Sequence, residues 1–334
     1  MRFFLILITT YIFMLHILTF ANATDPKHVD IWSDGTRMSG DIHYPIDFNK
    51  NNPRPAIIMS HGWGGKRSDL NKYYVPKLVN AGFIVLTFDY RGWEDSDSRL
   101  VLIGKQPALN NDGIINIQAK AIREVVDPID QTRDIFSALD YISGEPGVDT
   151  SRIGIWGTSM SGGYVICVAA QDKRVAAVYS QVSYQGIGLI DRSNLLRKRA
   201  IQKARGKINP IPENIDLIPN LKGSPDLAKM LSYMPIDWAN KILVPTLIVD
   251  VDSDELFDRK KNGKAVYDII KQNAEAKYKV FPGTHYDIYY KHFEASNKLA
   301  LDWFIKHLKL KKKDKGIETQ EVLDKEIKDK EKNQ

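Results

Sequence analysis

Six short segments of this chain are mainly apolar over consecutive residues, rather than apolar at every second position. Continuous hydrophobicity over a short run is typical of strands buried on both faces, and such strands occur in parallel sheets covered by helices. The pattern therefore predicts an α/β fold with a mostly parallel sheet flanked by helices. The six segments are Pro55–Ser60, Phe83–Phe88, Ile153–Trp156, Val175–Tyr179, Pro245–Val251 and Tyr278–Phe281.

Further elements are predicted around these strands. His28–Trp32 and Gly40–Tyr44 flank the turn sequence Ser33-Asp34-Gly35, so we expect an antiparallel hairpin to open the domain. Apolar residues at helical spacing predict amphipathic helices over Asp130–Ser143 and Tyr290–Leu308. The last helix is expected to pack against the sheet.

The domain organisation follows from length and from two interruptions. A chain of 334 residues with 43% hydrophobic content can form one large α/β domain, which we place at residues 24–310. Trp93–Asp127 and Ser183–Asn240 break the alternation of strand and helix. The second stretch, residues 183–240, carries helical patterns over Leu189–Gly206 and Leu227–Tyr233. We predict that it forms a helical cap insertion over the functional site.

Both ends of the chain have a composition unlike that of a folded domain. A basic start and an apolar run over residues 3–20 precede Ala21-Asn22-Ala23, so residues 1–23 are predicted to be a signal peptide cleaved after Ala23. The protein is then exported, to the periplasm or outside the cell. Because the run approaches the ~20 residues that span a bilayer, an uncleaved membrane anchor is the alternative. Residues 311–334 are highly charged and are predicted to form a disordered tail.

Charge and cysteine content exclude some classes of function. The 47 Lys and Arg residues exceed the 41 Asp and Glu residues, but part of the excess lies in the lysine-rich tail. Since no nucleic-acid-binding motif accompanies it, the charge indicates a solvated basic surface and no nucleic-acid partner. The single cysteine, Cys167, lies among apolar residues and is predicted to be a buried, unreactive thiol.

A serine stands at the end of one predicted strand, in Arg152–Gly163. Ser159 is flanked by Gly157 and Ser161, both small, in a variant of the G-x-S-x-G pattern. A nucleophilic serine on a sharp strand-to-helix turn needs small residues two positions away, because larger side chains would collide there. The spacing predicts that Ser159 is a nucleophile.

An activated serine needs a base, and an acid that orients the base. His285 follows the last predicted strand and so reaches the same sheet edge as the serine, which makes it our candidate base. The loop after the preceding strand offers Asp250, Asp252 and Asp254. Asp250 still belongs to the strand, and Asp254 lies deepest in the loop, so we predict Asp254 as the acid with Asp252 as the alternative.

Glycines also follow the first buried strand, in His61-Gly62-Trp63-Gly64-Gly65. Such a loop can turn backbone N–H groups towards a negatively charged oxygen. The N–H groups of Trp63 and of Met160, the residue after the serine, are the predicted oxyanion hole. The chain carries neither the phosphate-loop pattern nor the dinucleotide pattern, so we do not interpret these glycines as a phosphate cradle.

Over Val29–Leu308 the sequence resembles the α/β-hydrolase superfamily, in particular its dienelactone-hydrolase-like and prolyl-oligopeptidase-like esterases. The chain order Ser159, Asp254, His285 is that of the superfamily. The resemblance implies an eight-stranded sheet, a Ser-His-Asp triad, no metal and no organic cofactor. Its segments are His61–Gly65, Phe88–Gly92, Gly157–Gly162, the Asp254 loop and Gly283–Tyr286.

These residues predict a secreted serine esterase that cleaves carboxylic esters through an acyl-enzyme intermediate. The expected substrate is a small-molecule or sugar-linked ester, and a membrane is a partner only if the N-terminal segment stays uncleaved. Four aromatic residues, Trp63, Tyr90, Trp93 and Tyr184, are candidates for the substrate pocket, although aromatic residues at strand ends are often packing residues. Two alternatives remain: a peptidase or amidase of the prolyl-oligopeptidase type, and a non-catalytic binding module on the same fold.

Overall fold

The computed structural model describes residues 25–188, 194–212, 221–230 and 232–308. The predicted signal segment 1–23 and the predicted tail 311–334 lie outside these ranges. Within them, none of the helices has the length and apolarity needed to cross a membrane.

Eight strands form the main sheet, in the order β1-β2-β4-β3-β5-β6-β7-β8. β2 runs antiparallel to its neighbours β1 and β4, and the other neighbouring strands pair in parallel. The predicted mostly parallel sheet and the opening hairpin are confirmed. The strands are β1 Lys27–Ser33, β2 Thr36–His43, β3 Arg54–Ser60, β4 Ile84–Phe88, β5 Val148–Thr158, β6 Val175–Gln181, β7 Thr246–Val251 and β8 Ala276–Phe281.

The strand with the largest difference from its predicted bounds is β5, which begins five residues before Ile153 (153 − 148 = 5). Val148 pairs with Arg54, after which the register shifts before Ile153 pairs with Ala56. The intervening residues are polar and partly exposed, and therefore lack the apolar signal from which the strand was predicted.

The described ranges contain eight α-helices, and most of them pack against the two faces of the sheet. The third begins at Asp127, whose side chain accepts hydrogen bonds from the N–H groups of Ile129 and Asp130, and it ends at Gly144. The last helix begins at Phe293, later than predicted, because a 3-10 helix occupies His285–Tyr289. The helices are α1 Arg67–Tyr73, α2 Val75–Asn80, α3 Pro128–Ser143, α4 Met160–Ala169, α5 Leu195–Ala204, α6 Leu227–Met230, α7 Gly263–Ile270 and α8 Phe293–Leu308.

The apolar core lies in two clusters, one on each face of the sheet. α3 and α4 contribute Ile135, Leu139 and Val165 to one cluster, and α8 contributes Trp303 and Phe304 to the other. Cys167 is buried in the first cluster as predicted, and burial raises the pKa of its thiol to about 12.

The two predicted interruptions contact each other. In the first, Leu100–Leu102 and Ala119–Ala121 form a small antiparallel pair. Its end, Val125–Val126, pairs in parallel with Ser224–Pro225 of the second. The second interruption contains α5, α6 and a 3-10 helix over Pro235–Lys241.

Ion pairs join the helices of this second interruption to their surroundings. Lys203 of α5 lies 2.5 Å from Asp226, and Lys229 of α6 pairs with Asp127 at the start of α3. Both helices are shorter than their predicted segments. Residues 189–193, at the start of the first segment, lie outside the described ranges.

Candidate active site

Ser159 lies between β5 and α4 in a backbone conformation that non-glycine residues seldom adopt, with φ 55° and ψ −121°. Such a conformation costs on the order of 1–3 kcal/mol and is found most often at functional sites. A Cβ atom on Gly157 would collide with the carbonyl oxygen of Ser161. Ser161 stands where the usual pattern has a second glycine. Its buried hydroxyl forms a hydrogen bond with the hydroxyl of Ser60, so the polar group has a partner.

Neighbouring strands and loops hold the backbone of Ser159 in place. Its N–H donates to the carbonyl oxygen of Gln181 at the end of β6, over 2.9 Å. Its carbonyl oxygen accepts from the N–H groups of Gly162, at 3.0 Å, and Tyr184, at 3.1 Å. The strained turn is therefore supported from both sides.

The structure brings His285 and Asp254 together. His285 Nδ1 lies 2.9 Å from Asp254 Oδ2, and both side chains are buried. The other oxygen of Asp254 accepts the N–H groups of Leu256 and Phe257, at 2.9 and 2.8 Å. The carboxylate is thus fixed in one orientation.

The other two aspartates of this loop face elsewhere. Asp252 is exposed and accepts hydrogen bonds from Ser253 and from the N–H of Gly283. Asp250 is buried in β7, where it accepts the hydroxyl of Tyr278 at 2.8 Å and where burial raises the pKa of its carboxyl to about 7. Of the two candidates from the sequence, Asp254 is the one that meets the histidine.

Glu255 was not identified from the sequence. Its carboxylate accepts the backbone N–H of His285 at 2.7 Å, so two consecutive acidic residues bind the same histidine, one at the ring and one at the backbone. No pattern in the sequence indicates this contact, because it depends on the approach of two separate loops.

The glycine loop after β3 approaches the serine closely. A Cβ atom on Gly62 would lie 2.8 Å from the Cβ of Ser159, so the residue must be glycine. Trp63 follows, and its indole N–H donates to the carbonyl oxygen of Lys222 over 3.0 Å. Met160 is the first residue of α4, where a backbone N–H has no intrahelical acceptor. Trp63 and Met160 line the same cavity as Ser159.

Arg67 anchors the far end of this loop. Its backbone N–H donates to Asp89 over 2.9 Å, and its guanidinium Nε lies 3.3 Å from both Asp41 and Asp89. A further pair joins Arg67 to Asp95 at 3.0 Å. The Phe88–Gly92 segment that carried part of the resemblance therefore supports the glycine loop from behind.

His61 lies in this loop but is not paired with an acid. It is buried, and burial lowers the pKa of its imidazole to about 4. Its Nδ1 lies 2.9 Å from the carbonyl oxygen of Gly62 and must therefore carry the proton. Its ring packs edge-on against Tyr90, with ring centroids 4.7 Å apart.

A cavity of about 290 Å³ contains Ser159 and His285 in its lining. Of the four aromatic residues expected there, Trp63 lines it, whereas Tyr90, Trp93 and Tyr184 are buried in the core. That part of the expectation is wrong, because these three rings turn inward to pack. The aromatic residues that do line the cavity include Tyr74, Trp156, Phe257, Tyr286, Tyr289 and Tyr290.

Three of these rings could have been found from the sequence. Tyr286, Tyr289 and Tyr290 lie within five residues of His285 (290 − 285 = 5), so their position beside the candidate base follows from chain proximity. In the described residues, no group of three or more His, Cys, Asp or Glu side chains is arranged to hold a metal ion.

Comparisons with known proteins identify a matching family model and a relative of this chain. Residues 34–194 match the family model described as X-Pro dipeptidyl-peptidase (S15 family). The "Uncharacterized 31.7 kDa protein in traX-finO intergenic region" of Escherichia coli is 30% identical over 285 residues, which cover 76% of this chain and 91% of that protein.

Two solved structures share the fold. The α/β hydrolase GrgF from Penicillium sp. sh18 matches with a TM-score of 0.65 at 19% identity, covering 85% of this chain and 99% of that one. Est1E from Butyrivibrio proteoclasticus, solved with ferulic acid bound, matches with a TM-score of 0.57 at 19% identity, covering 82% and 98%. The chain belongs to the α/β-hydrolase superfamily and to the same family as the Escherichia coli relative.

Proposed function

We propose that this protein is a serine esterase that hydrolyses carboxylic esters through an acyl-enzyme intermediate. The observation that carries the proposal is the buried His285–Asp254 pair, whose histidine lines one cavity with the strained Ser159. A strained serine, a histidine and an acid that orients it are the parts that nucleophilic acyl transfer requires.

Each residue has a defined role in this mechanism. Asp254 accepts a hydrogen bond from the N–H at Nδ1 of His285, which leaves Nε2 as the basic nitrogen for the hydroxyl of Ser159. As Ser159 attacks the ester carbonyl, the negative oxygen is stabilised by the N–H groups of Trp63 and Met160. His285 then gives the proton to the leaving alcohol, and a water molecule repeats the sequence to release the acid.

A peptidase is the second candidate, because the matching family model describes X-Pro dipeptidyl-peptidases. The same serine, histidine and acid cleave amides as well as esters. The size of the cavity and its many aromatic residues fit a small-molecule ester, which is why we place the esterase first.

The test is a panel of p-nitrophenyl esters from acetate to long acyl chains, with feruloyl esters and X-Pro anilides beside them. We expect Ser159→Ala to reduce ester turnover by about 10⁴-fold or more, while Ser151→Ala, an exposed serine on β5, leaves it unchanged. Turnover that persists in Ser159→Ala would reject the triad. Faster cleavage of the X-Pro anilides would favour the peptidase, and no turnover of any substrate would favour the binding module.

We also propose that the protein is exported, with residues 1–23 removed as a signal peptide. Sequencing the N-terminus of protein recovered from cell fractions tests this. A mature chain that begins after Ala23 supports cleavage, whereas an intact N-terminus in the membrane fraction supports the anchor.

A further inference from the structure

A second cavity, of about 640 Å³, adjoins the candidate active site. Four of its residues, Asp69, Tyr74, Tyr289 and Tyr290, line both cavities, so the two spaces are adjacent. We call this second space the tyrosine groove. It is lined by Asp69, Tyr73, Tyr74, Tyr289, Tyr290 and Phe293.

The rings at the open end of the tyrosine groove are exposed. Tyr290 is 81% exposed and Tyr73 is 49% exposed. Lys72 Nζ lies 4.9 Å from the centre of the Tyr73 ring and covers one of its faces, so Tyr290 is the more accessible ring. Large exposed aromatic side chains gathered beside a catalytic cavity indicate a binding surface rather than packing.

The groove begins on the side of the candidate base. Tyr286 and Tyr289 belong to the 3-10 helix that starts at His285, with ring centroids 5.3 and 6.1 Å from the imidazole. The base must protonate the oxygen of the leaving alcohol, so the alcohol has to lie beside the imidazole when the bond breaks. An alcohol too large to fit in the space beside the imidazole would extend along these tyrosines.

The chemistry of the lining matches a sugar. Tyr73 and Tyr290 each offer an exposed apolar ring with a hydroxyl at its edge, and Asp69 adds an exposed carboxylate that can accept from hydroxyl groups. A pyranose likewise combines an apolar C–H face with hydroxyls around its rim. A purely aromatic alcohol would not use the carboxylate.

We propose that the tyrosine groove binds the alcohol part of the substrate and that this alcohol is a carbohydrate. The inference rests on the proposed esterase activity. Ser159 Oγ forms a bond to the acyl carbon, the bond from that carbon to the sugar oxygen breaks, and the serine proton passes through His285 to that oxygen. Water then releases the acyl group, and the sugar leaves along the groove.

The experiment keeps the acyl group constant and changes the alcohol, with ethyl acetate, benzyl acetate and 6-O-acetylated glucosides as substrates. Tyr290→Ala and Tyr73→Ala should each lower kcat/KM for the acetylated sugars by about three- to tenfold, and should lower kcat/KM for ethyl acetate by a smaller factor. Trp32→Ala removes an aromatic ring on β1 whose exposure lies between those of Tyr73 and Tyr290, and it should change neither rate. An equal loss for all acetates, or no loss for the sugars, would overturn the proposal, and a larger loss for benzyl acetate would overturn the sugar assignment.

A binding measurement separates this inference from the esterase proposal. Ser159→Ala protein is titrated with cellobiose by calorimetry, in the presence and absence of the Tyr290→Ala change. Binding that weakens about three- to tenfold with Tyr290→Ala supports the groove even if no ester is hydrolysed. An absence of binding to the protein with Tyr290 intact would overturn the groove, whatever the ester panel shows.

Discussion

His285 and Asp254 lie 31 residues apart in the chain, yet Nδ1 of the histidine is 2.9 Å from Oδ2 of the aspartate. Both side chains are no more than 3% exposed. The contact joins the loops that follow β7 and β8, two neighbouring parallel strands, and so depends on the pairing of those strands. A buried imidazole in contact with a fixed carboxylate has one preferred tautomer, with the proton on Nδ1.

Asp254→Asn should reduce kcat for ester hydrolysis by about 10⁴-fold while leaving the fold intact, because an amide can hold the wrong tautomer of the histidine. The measurement is kcat with a p-nitrophenyl ester, together with circular dichroism. Asp252→Asn is the matched control, since Asp252 is exposed and contacts Ser253 and Gly283 instead. A large loss in Asp252→Asn without one in Asp254→Asn would contradict the assignment.

Gly62→Ala should lower kcat by on the order of 10²-fold and should lower the free energy of unfolding by about 1–3 kcal/mol. The added methyl would lie 2.8 Å from the Cβ of Ser159, so the loop must move and carry the N–H of Trp63 away from the oxyanion. Gly144→Ala is the control, because a methyl there meets its nearest atom, the carbonyl oxygen of Tyr141, at 3.6 Å. Unchanged kinetics in Gly62→Ala would show that this loop does not stabilise the oxyanion.

Glu255→Ala should lower kcat by about tenfold and change KM little, because a hydrogen bond to a charged group is worth ~1.5 kcal/mol and this one positions the backbone of His285. Glu255→Gln keeps an acceptor and should recover part of the loss. The readout is the separation of kcat from KM for both variants. An equal loss in Glu255→Ala and Glu255→Gln would point to the charge rather than to the hydrogen bond.

His61 should make stability depend on pH. Its pKa is about 4 in the folded protein and ordinarily 6.5, so unfolding takes up a proton between these values. Its contribution to the unfolding free energy is complete above about pH 6.5 and falls by about 3 kcal/mol as the pH drops through 4.

His61→Phe keeps a ring of similar shape and removes the titration. Urea unfolding of both proteins at a series of pH values gives the difference in unfolding free energy between them. This difference should change steadily between about pH 6.5 and 4 and stay constant above pH 7. A difference that is constant at every pH would mean that His61 does not resist protonation.

The main sheet could be predicted because each of its strands carries its own signal. Six of the eight strands fall on predicted runs of mainly apolar residues, and β1 and β2 fall on the segments predicted from the turn sequence between them. Ser159 could be predicted for a similar reason, because the strain of its turn restricts the residues on either side to small ones.

Other features could not be predicted because they join distant parts of the chain. The side chain of Glu255 accepts the backbone N–H of His285. Glutamates and backbone N–H groups are common along the chain, so the sequence does not single out this pair. Tyr90, Trp93 and Tyr184 follow strands as pocket residues can, yet they turn into the core. The orientation of an aromatic side chain depends on how the surrounding residues pack, and that packing cannot be read from the sequence.

The sequence by itself therefore determined the sheet, the superfamily and the serine with its small neighbours, because local burial and local strain restrict the residue types that can stand at those positions. The tertiary structure decided between Asp254 and Asp252, added Glu255, and placed the tyrosine groove beside the cavity of Ser159. These arrangements depend on how loops from separate strands meet at one edge of the sheet, and a distance between loops is a property of the packed chain.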